Sequence, residues 1–439
     1  MTMLPVWEQN VRRFVRQGGF GLEKESLRIT QEGHMAHTPH PFPGDAHIVR
    51  DFCENQTEIN TPVLPTAVQA WQALSELDRR IHRRLASLTP PELLWPFSNP
   101  AILENEADVP VARFAGVQAG KTTYREYLSE RYGRYKMALC GIHVNFSFGK
   151  DLLAAAHAAN GAGLSLREYT DRLYLELAEK AACYGWIVTA LTAASPLNDQ
   201  SYWEKGKNGT AFCGMASVRC SELGYWNFFT PIFDYTSLDA FVDSIQGYVD
   251  SGLIRFPTEL YYPIRLKPAG ENRLEKLRQG VDHIELRMVD LNPLAPAGLE
   301  PRDLEFIHLL LVWLAALPPL RLTGKDQVQA AQNFKNAAHY DLKTVNIVLP
   351  DGSSRPAADA ALRVLEDMKA FYAPLLPDAL PVLDFEQEKC LDPDKRYAWQ
   401  IRRRFADDFV GGGLALARQR QEAAHPIDCI ERQTAYTAY

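Results

Sequence analysis

Apolar and polar side chains alternate through the stretch Val281-Asp282-His283-Ile284-Glu285-Leu286-Arg287-Met288-Val289. A period of two is typical of a β-strand, because successive side chains of a strand point to opposite faces. One face of this predicted strand is apolar, whereas the other carries His283, Glu285 and Arg287. A carboxylate beside a guanidinium suits a site where the acid holds a metal cation and the arginine grips phosphate oxygens.

An earlier stretch, Gly141-Ile-His-Val-Asn-Phe-Ser-Phe148, has the same alternation. The side chains predicted for its apolar face are Ile142, Val144, Phe146 and Phe148. Its other face presents an imidazole, an amide and a hydroxyl in a row, from His143, Asn145 and Ser147. We therefore predict a second strand with one face in the core and one polar face.

Two segments nearer the N-terminus add carboxylates. The predicted strand over residues 20–29 and the segment 51–61 carry Glu23, Glu25, Asp51, Glu54 and Glu58. Glu23 and Glu25 share a strand face, where two like charges repel unless a cation lies between them. Oxygen ligands of this kind suit Mg²⁺ or Mn²⁺ better than zinc.

An ordinary structural interpretation stands beside this one. Polar alternation on an antiparallel strand usually marks a solvated sheet face. Glu23 and Glu25 could pair with surface lysines, and a lone histidine such as His143 is more often structural. The functional interpretation therefore depends on several strands carrying such residues together.

Helical patterns separate the strands. They cover residues 67–87, 166–194, 302–317 and 357–372, and the part from about residue 318 onward is predicted to be mostly helical. Strands and helices follow without a regular βαβ order, which favours an α+β fold with a largely antiparallel sheet. Neither GxGxxG nor GxxxxGK[ST] occurs, so ATP would be held in another way. The triplet at residues 411–413 is interpreted as a turn.

Composition and charge narrow the class of protein. The 439 residues carry a formal net charge of −7, which does not favour nucleic-acid binding. No apolar leader follows Met1, and the longest apolar run, residues 306–317, is shorter than the roughly 20 residues that span a bilayer. Seven cysteines without a CxxC pair predict reduced thiols. We expect a cytoplasmic protein that binds neither nucleic acid nor membrane.

Carboxylate activation is the chemistry that this set of residues suits. ATP can convert a carboxylate to an acyl phosphate, which an amine then attacks. Cations and arginines reduce the repulsion between the anionic acid and the anionic phosphate. A two-metal hydrolase would need the same residues, so the constellation alone leaves both reactions open.

The ordered motifs resemble those of the glutamate–cysteine ligase family, especially the ligase half of bifunctional bacterial glutathione synthetases. The matching motifs are Phe20-Gly-Leu-Glu-Lys-Glu-Ser-Leu-Arg28, Thr38-Pro-His-Pro41, Asp51-Phe-Cys-Glu54, Glu58-Ile-Asn-Thr-Pro-Val63, Tyr124-Arg-Glu126, Arg131-Tyr-Gly133, Gly141-Ile-His-Val-Asn-Phe146, Gly185-Trp-Ile-Val188, Ala194-Ser-Pro196, Val218-Arg219, Leu223-Gly-Tyr225, Tyr262-Pro-Ile-Arg265, Ile284-Glu-Leu-Arg287 and Asp290-Leu-Asn-Pro293. The resemblance covers most of residues 15–315.

This resemblance implies a glutamine-synthetase-like curved antiparallel sheet, a funnel surrounded by helices, in a single catalytic domain over residues 1–439. The implied metal ligands are Glu23, Glu25, Asp51, Glu58, His143 and Glu285. Glu285 and Arg287 are the implied catalytic residues, and Asn145, Arg265 and Arg287 would contact ATP. Arg219 would hold the glutamate α-carboxylate, and the cysteine pocket would contain Phe52, Tyr124, Arg125 and Tyr225.

The implied reaction joins the γ-carboxylate of glutamate to the amine of cysteine through a γ-glutamyl phosphate, with ATP as substrate and Mg²⁺, or Mn²⁺, as the metal. One alternative is a ligase acting on a different amine, and another is a non-catalytic homologue that binds glutamate or a nucleotide. No ATP-grasp domain is found in the sequence. The expected product is therefore the dipeptide alone, which a separate glutathione synthetase could use.

Overall fold

The computed structural model describes residues 2–424. Its strands are β1 (Gly18–Ile29), β2 (Ile48–Arg50), β3 (Gln56–Asn60), β4 (Leu93–Leu94), β5 (Ile142–Phe148), β6 (Leu197–Asp199), β7 (Thr210–Phe212), β8 (Ile264–Lys267), β9 (His283–Val289), β10 (Asn346–Val348) and β11 (Ser354–Pro356). Between and after them lie fifteen α-helices within the described residues.

The helices are α1 (Gln9–Arg12), α2 (Ala67–Ala86), α3 (Ala119–Tyr132), α4 (Arg134–Met137), α5 (Lys150–Asn160), α6 (Leu166–Tyr184), α7 (Trp186–Thr192), α8 (Leu238–Asp250), α9 (Leu274–Leu277), α10 (Pro301–Ala316), α11 (Gly324–Ala337), α12 (Ala357–Leu375), α13 (Leu380–Leu391), α14 (Tyr397–Phe405) and α15 (Phe409–Ala424). Beyond residue 318 the described chain is mostly helical, with β10 and β11 as a small hairpin.

A seven-stranded sheet forms the centre of the fold. Its strand order is β2-β3-β1-β5-β9-β8, with β4 paired to one end of β1. Each of these pairings is antiparallel, so the predicted α+β class with an antiparallel sheet is confirmed. Two-stranded sheets of β6 with β7 and β10 with β11 lie outside it.

Strand β1 organises the sheet. The strand predicted over residues 20–29 is present, and it begins two residues earlier, at Gly18, so that it runs for 12 residues. Its first part pairs with β5, its middle with β3, and its end with β4. One continuous strand therefore connects both halves of the sheet.

The apolar face of the sheet packs against α10. Phe20 and Phe146 place their rings 5.2 and 5.3 Å from the imidazole of His308 in the middle of this helix. Twelve of the sixteen residues of α10 are buried, which confirms the predicted core helix. Among residues 2–424 the structure has no helix whose length and apolar character would let it cross a membrane.

Two predictions about glycines need correction. The helix predicted over residues 166–194 is divided at Gly185, where a Cβ atom would lie 2.9 Å from the ring of Phe334. The triplet at residues 411–413 lies inside α15 and is not a turn. A Cβ atom on Gly413 would overlap the ring of Trp95, so close packing, and not chain reversal, explains a glycine at this position.

Candidate active site

The strand register collects the predicted polar residues on one face of the sheet. Residues directly opposite each other in an antiparallel pair point to the same side. Glu23 of β1 lies opposite His143 of β5, and Glu25 lies opposite Glu58 of β3. Farther along β5, Asn145 faces Glu285 of β9. Four strands thus supply one continuous polar surface.

Glu23, His143 and Glu285 form the centre of this surface. Their candidate ligand atoms all lie within 4.8 Å of one another. His143 Nδ1 is 3.0 Å from Glu23 Oε2 and 3.8 Å from Glu285 Oε1, and its Nε2 is 3.6 Å from Glu25 Oε1. The β5–β9 register shifts between residues 142 and 144, and such a bulge redirects the side chain that it contains. The structure therefore brings together three of the six predicted metal ligands.

Cations surround one end of the cluster. Arg287 Nη1 donates to Glu285 Oε1 at 3.0 Å, and Lys267 Nζ lies 3.4 Å from the same oxygen. Burial alone would raise the pKa of Glu285, but Arg287, Lys267 and Arg265 outweigh it and hold this pKa well below its ordinary value. Burial and the nearby Arg287 lower the pKa of His143 to about 4, so its imidazole is neutral.

At the other end of the cluster, the nearby arginines do not outweigh burial and the neighbouring acids. Burial and the charge of Asp51 raise the pKa of Glu25 to about 8. Burial, Asp51 and the glutamates of β1 also raise the pKa of Glu58 well above its ordinary value. Asp51 itself lies at the rim, where its carboxylate is 3.8 Å from Arg125. An added positive charge would stabilise the ionised form of all three acids.

The donor set fits a hard divalent cation. His143 Nε2 and Glu285 Oε2 are buried and have no hydrogen-bond partner in the described structure. Buried polar atoms are normally paired, so these two have free ligand positions. Several carboxylate oxygens with one imidazole match the ligands of Mg²⁺ or Mn²⁺.

A cavity opens beside Arg287 on one side of the cluster. Its volume is about 440 Å³ when the space open to solvent is included, and its lining includes Thr189, Arg219, Tyr225, Tyr261 and Arg287. The guanidinium of Arg219 packs against Gly141, where a Cβ atom would overlap it. The glycine therefore lets a buried arginine reach this cavity beside the sheet.

A second cleft, of about 760 Å³, lies on the other side and is lined by Glu23, Asn60, Asn145, Ser147 and His283 among others. Asn145 Nδ2 donates to Glu23 Oε1 at 3.1 Å, which joins this cleft to the cluster. Arg265 faces Glu285 across the β8–β9 pair. Its Nη2, however, donates to the carbonyls of Thr258 and Leu260.

The residues predicted for the cysteine pocket lie on three segments. Phe52 is buried next to Asp51. Tyr124 and Arg125 are on α3, and Arg125 Nε donates to the backbone carbonyl of Asp51 at 2.6 Å. The ring of Tyr225 lies 5.1 Å from that of Tyr261 in the 440 Å³ cavity.

Sequence reasoning included one residue wrongly and missed another. Glu54, interpreted as a possible oxygen ligand, turns away and pairs with Arg50 at 2.9 Å. Lys267 went unnoticed, although it lies two residues after Arg265 on the same face of β8. The alternation rule applied to the other strands would have found it, because β8 also has apolar residues at 264 and 266.

The comparisons with known proteins agree with this geometry. A family model described as glutamate-cysteine ligase matches residues 5–256 and 228–337. The glutathione biosynthesis bifunctional protein of Listeria monocytogenes is 34% identical over 438 residues, covering 96% of this chain and 56% of that protein. Its counterpart from Clostridium perfringens is 31% identical over 376 residues, covering 82% of this chain and 48% of that protein. The chain spans about half the length of these curated relatives.

Two solved structures share the fold. A bifunctional glutathione synthetase from Pasteurella multocida superposes with a TM-score of 0.83 at 26% identity, over 97% of this chain and 55% of that one. A glutamate–cysteine ligase from Francisella tularensis in complex with AMP gives a TM-score of 0.82 at 22% identity, over 94% and 90% of the two chains. These likenesses confirm the α+β fold, and the family match together with the Listeria relative shows that the chain belongs to the glutamate–cysteine ligase family.

Proposed function

We propose that this enzyme uses ATP to join the γ-carboxylate of glutamate to the amine of cysteine, through a γ-glutamyl phosphate. The observation that carries the proposal is the contact of Glu23, His143 and Glu285 beside Arg287, with a cavity on either side. Family membership and the name of the Listeria relative, which refers to glutathione biosynthesis, support the same product. A cytoplasmic location and a single catalytic domain over residues 1–439 remain predictions.

Divalent ions, proposed to be Mg²⁺, would be held by the six acidic and imidazole side chains of the polar face. These ligands are Glu23, Glu25, Asp51, Glu58, His143 and Glu285. When bound, the ions supply positive charge that offsets the repulsion between two anionic substrates. The free ligand positions of His143 and Glu285 and the uncompensated acids of β1 and β3 support this assignment.

Arg287 has the position to act on the transferring phosphoryl group. In the first step, a γ-carboxylate oxygen of glutamate attacks the γ-phosphorus of ATP, and the bond to the bridging oxygen breaks as ADP leaves. The guanidinium of Arg287 can donate two parallel hydrogen bonds to phosphate oxygens as charge builds up there. Its ion pair with Glu285 fixes the orientation of this fork before substrate arrives.

The 440 Å³ cavity is the proposed glutamate site. Arg219 would pair with the α-carboxylate, because it is a buried cation that lines the cavity close to Arg287. The γ-carboxylate of the same molecule would then point toward the polar face. The larger cleft beside Asn145 would take ATP, so that the two substrates meet at the metal cluster.

In the second step, the acceptor amine attacks the acyl carbon, phosphate leaves and the nitrogen loses a proton. Phe52, Tyr124, Arg125 and Tyr225 are the proposed acceptor wall. Arg125 of this wall donates to the backbone carbonyl of Asp51, so the acceptor wall contacts a proposed metal ligand directly. Aromatic rings and one cation suit a small amino acid with a carboxylate, such as cysteine.

The proposal is tested with purified protein, glutamate, ATP and Mg²⁺. We expect ADP release that depends on cysteine, together with a γ-linked dipeptide identified by mass spectrometry. A panel of other amino acids in place of cysteine tests the acceptor. ADP release with another amine but not with cysteine would show that this amine is the acceptor. Absence of ADP release with every amine would contradict the ligase function.

A further inference from the structure

Helix α3 carries two residues of the proposed acceptor wall, Tyr124 and Arg125, but little apolar surface holds it in place. The structure describes all fourteen of its residues, and Leu128 alone is buried. The rings of Tyr124, Tyr127 and Tyr132 are only partly buried against the core, so the hydrophobic effect stabilises this helix less than a helix with a fully buried face. Polar contacts therefore contribute to the placement of Tyr124 and Arg125.

The carboxylate of Glu259 accepts several of these polar contacts, in addition to the bond from Arg125 to the Asp51 carbonyl. This residue lies at the end of a 3-10 helix, Pro257–Glu259, and its side chain is fully buried. Three side chains of α3 converge on it: the hydroxyl of Tyr132 donates at 2.8 Å, the hydroxyl of Tyr127 at 3.1 Å, and Arg131 forms an ion pair at 2.9 Å. The backbone N–H of Arg255 donates to the same carboxylate at 2.7 Å.

The backbone around Glu259 also contacts other residues of the proposed site. The amide of Asn227, two residues after Tyr225, donates to the backbone carbonyl of Glu259 at 2.9 Å. Arg265 donates to the carbonyls on either side of Glu259, at 3.1 and 2.5 Å. The segment 258–260 therefore connects α3, the segment of Tyr225 and the strand of Arg265. Glu259 lines neither of the two cavities described above.

From these contacts we infer that Glu259 is a positioning residue that sets the place of the acceptor wall by anchoring α3. The inference rests on the proposed function, because it names the amine acceptor as the substrate affected. Hydrogen bonds and ion pairs to a buried charge are stronger than neutral ones, and their removal leaves the donors of α3 without a common partner. The proposed contacts of glutamate and ATP with Arg219, Asn145 and Arg287 do not involve the Glu259 side chain. Arg265 contacts only backbone carbonyls beside Glu259, which its replacement leaves in place.

The test replaces Glu259 with glutamine, which keeps the shape and one acceptor oxygen but removes the charge. In Glu259→Gln we expect the KM for cysteine to rise about tenfold, which corresponds to about 1.4 kcal/mol. The KM values for glutamate and ATP should stay within about twofold, and kcat should change less than the KM for cysteine. Equal increases in all three KM values, or no increase for cysteine, would overturn the inference.

Asp303→Asn is the matched control. Asp303 is also a buried carboxylate, which accepts from Lys389 at 2.6 Å and from the hydroxyl of Tyr397 at 3.0 Å, in a cluster of α10, α13 and α14. Its replacement weakens a buried polar network without touching α3. We expect the control to lower the unfolding free energy and to leave the KM for cysteine unchanged.

Hydrogen exchange without substrates separates this inference from the proposed function. The amides of α3 should exchange faster in Glu259→Gln than in Asp303→Asn, and equal exchange would overturn the anchoring role even in an active enzyme. If the wild type releases no ADP with any amine, the proposed function fails and the acceptor role fails with it. Should Glu259→Gln not fold, Tyr127→Phe and Tyr132→Phe each remove one donor and should show the same KM pattern more weakly.

Discussion

The two faces of β1 bury charge in different ways. On the core face, Lys24 Nζ contacts Asp78 Oδ1 at 2.5 Å, and His82 lies 3.6 Å from the same carboxylate. On the site face, Glu25 and Glu58 lie opposite each other. Among residues 2–424 neither of these two glutamates forms an ion pair with a lysine or an arginine. Strand β1 thus contributes Lys24 to a pair of opposite charges on one face, the balanced pair. It contributes Glu25 to a pair of acids on the other face, the unbalanced pair.

The balance of charge determines the protonation of each pair. Burial would raise the pKa of Asp78, but Lys24 and His82 outweigh it, and the carboxylate stays ionised. Burial and Asp51 instead raise the pKa of Glu25 to about 8. A protein needs a reason to keep like charges together in its interior, since unpaired buried charges are costly. The comparison supports the proposal that the site face holds added cations.

The largest effect should follow from Glu25→Gln, which removes a charge from the unbalanced face without changing its shape. Loss of metal-based charge stabilisation removes several kcal/mol from the transition state. We expect the rate of ADP release to fall about a thousandfold or more. Thermal unfolding of the metal-free variant should be unchanged or shifted to higher temperature, because repulsion decreases. A rate near that of the wild type would remove Glu25 from the metal site.

The opposite result is expected on the core face. Lys24→Met leaves Asp78 buried with only His82 near it, and breaking a buried ion pair in this way costs about 3–5 kcal/mol. Urea unfolding should detect this loss. Adding Asp78→Leu to Lys24→Met should recover much of it, because the stranded charge is then removed as well. An unchanged unfolding free energy in Lys24→Met would show that the Lys24–Asp78 ion pair does not stabilise the core face.

Arg287→Lys sharpens the comparison within the site. An ammonium keeps the charge next to Glu285 but cannot offer the planar fork of a guanidinium. We expect kcat to fall about a hundredfold, in the range found when one donor to a developing charge is lost. The KM for glutamate and the metal-free melting temperature should change little. Full activity in this variant would mean that charge alone is sufficient at this position.

The smallest effect is a pH dependence of stability in the metal-free protein. The folded protein retains the Glu25 proton up to about pH 8, whereas the unfolded chain loses it near 4.5. From pH 8 down to about 6.5, the unfolding free energy should therefore rise as the pH falls, by at most about 1.4 kcal/mol per unit. Below that range His143 acts in the opposite direction, because its pKa is lowered to about 4 in the fold. Urea unfolding in Glu25→Gln should show a smaller slope, and the remainder comes from other acids with a raised pKa, such as Glu58.

Local alternation predicted the strands of the site and their polar faces, because the period of a strand is fixed by its backbone. The meeting of Glu23, His143 and Glu285 followed from the family resemblance, and the register bears it out. The contacts of Glu259 with α3 could not be predicted, since its donors on that helix lie more than 100 residues away in the chain. Gly413 of α15 was misinterpreted for the same reason, because the rings next to it belong to Trp95 and Phe97, which are distant in the chain.

The most direct test of the account is a titration of the purified protein with Mn²⁺, followed by electron paramagnetic resonance. The wild type should bind the ion and release it to excess Mg²⁺. Glu25→Gln and Glu285→Gln should bind it much more weakly, while Asp303→Asn should bind it as the wild type does. Mn²⁺ that stays free in the wild type, or that binds equally to all four proteins, would contradict a cation site on the polar face of this sheet.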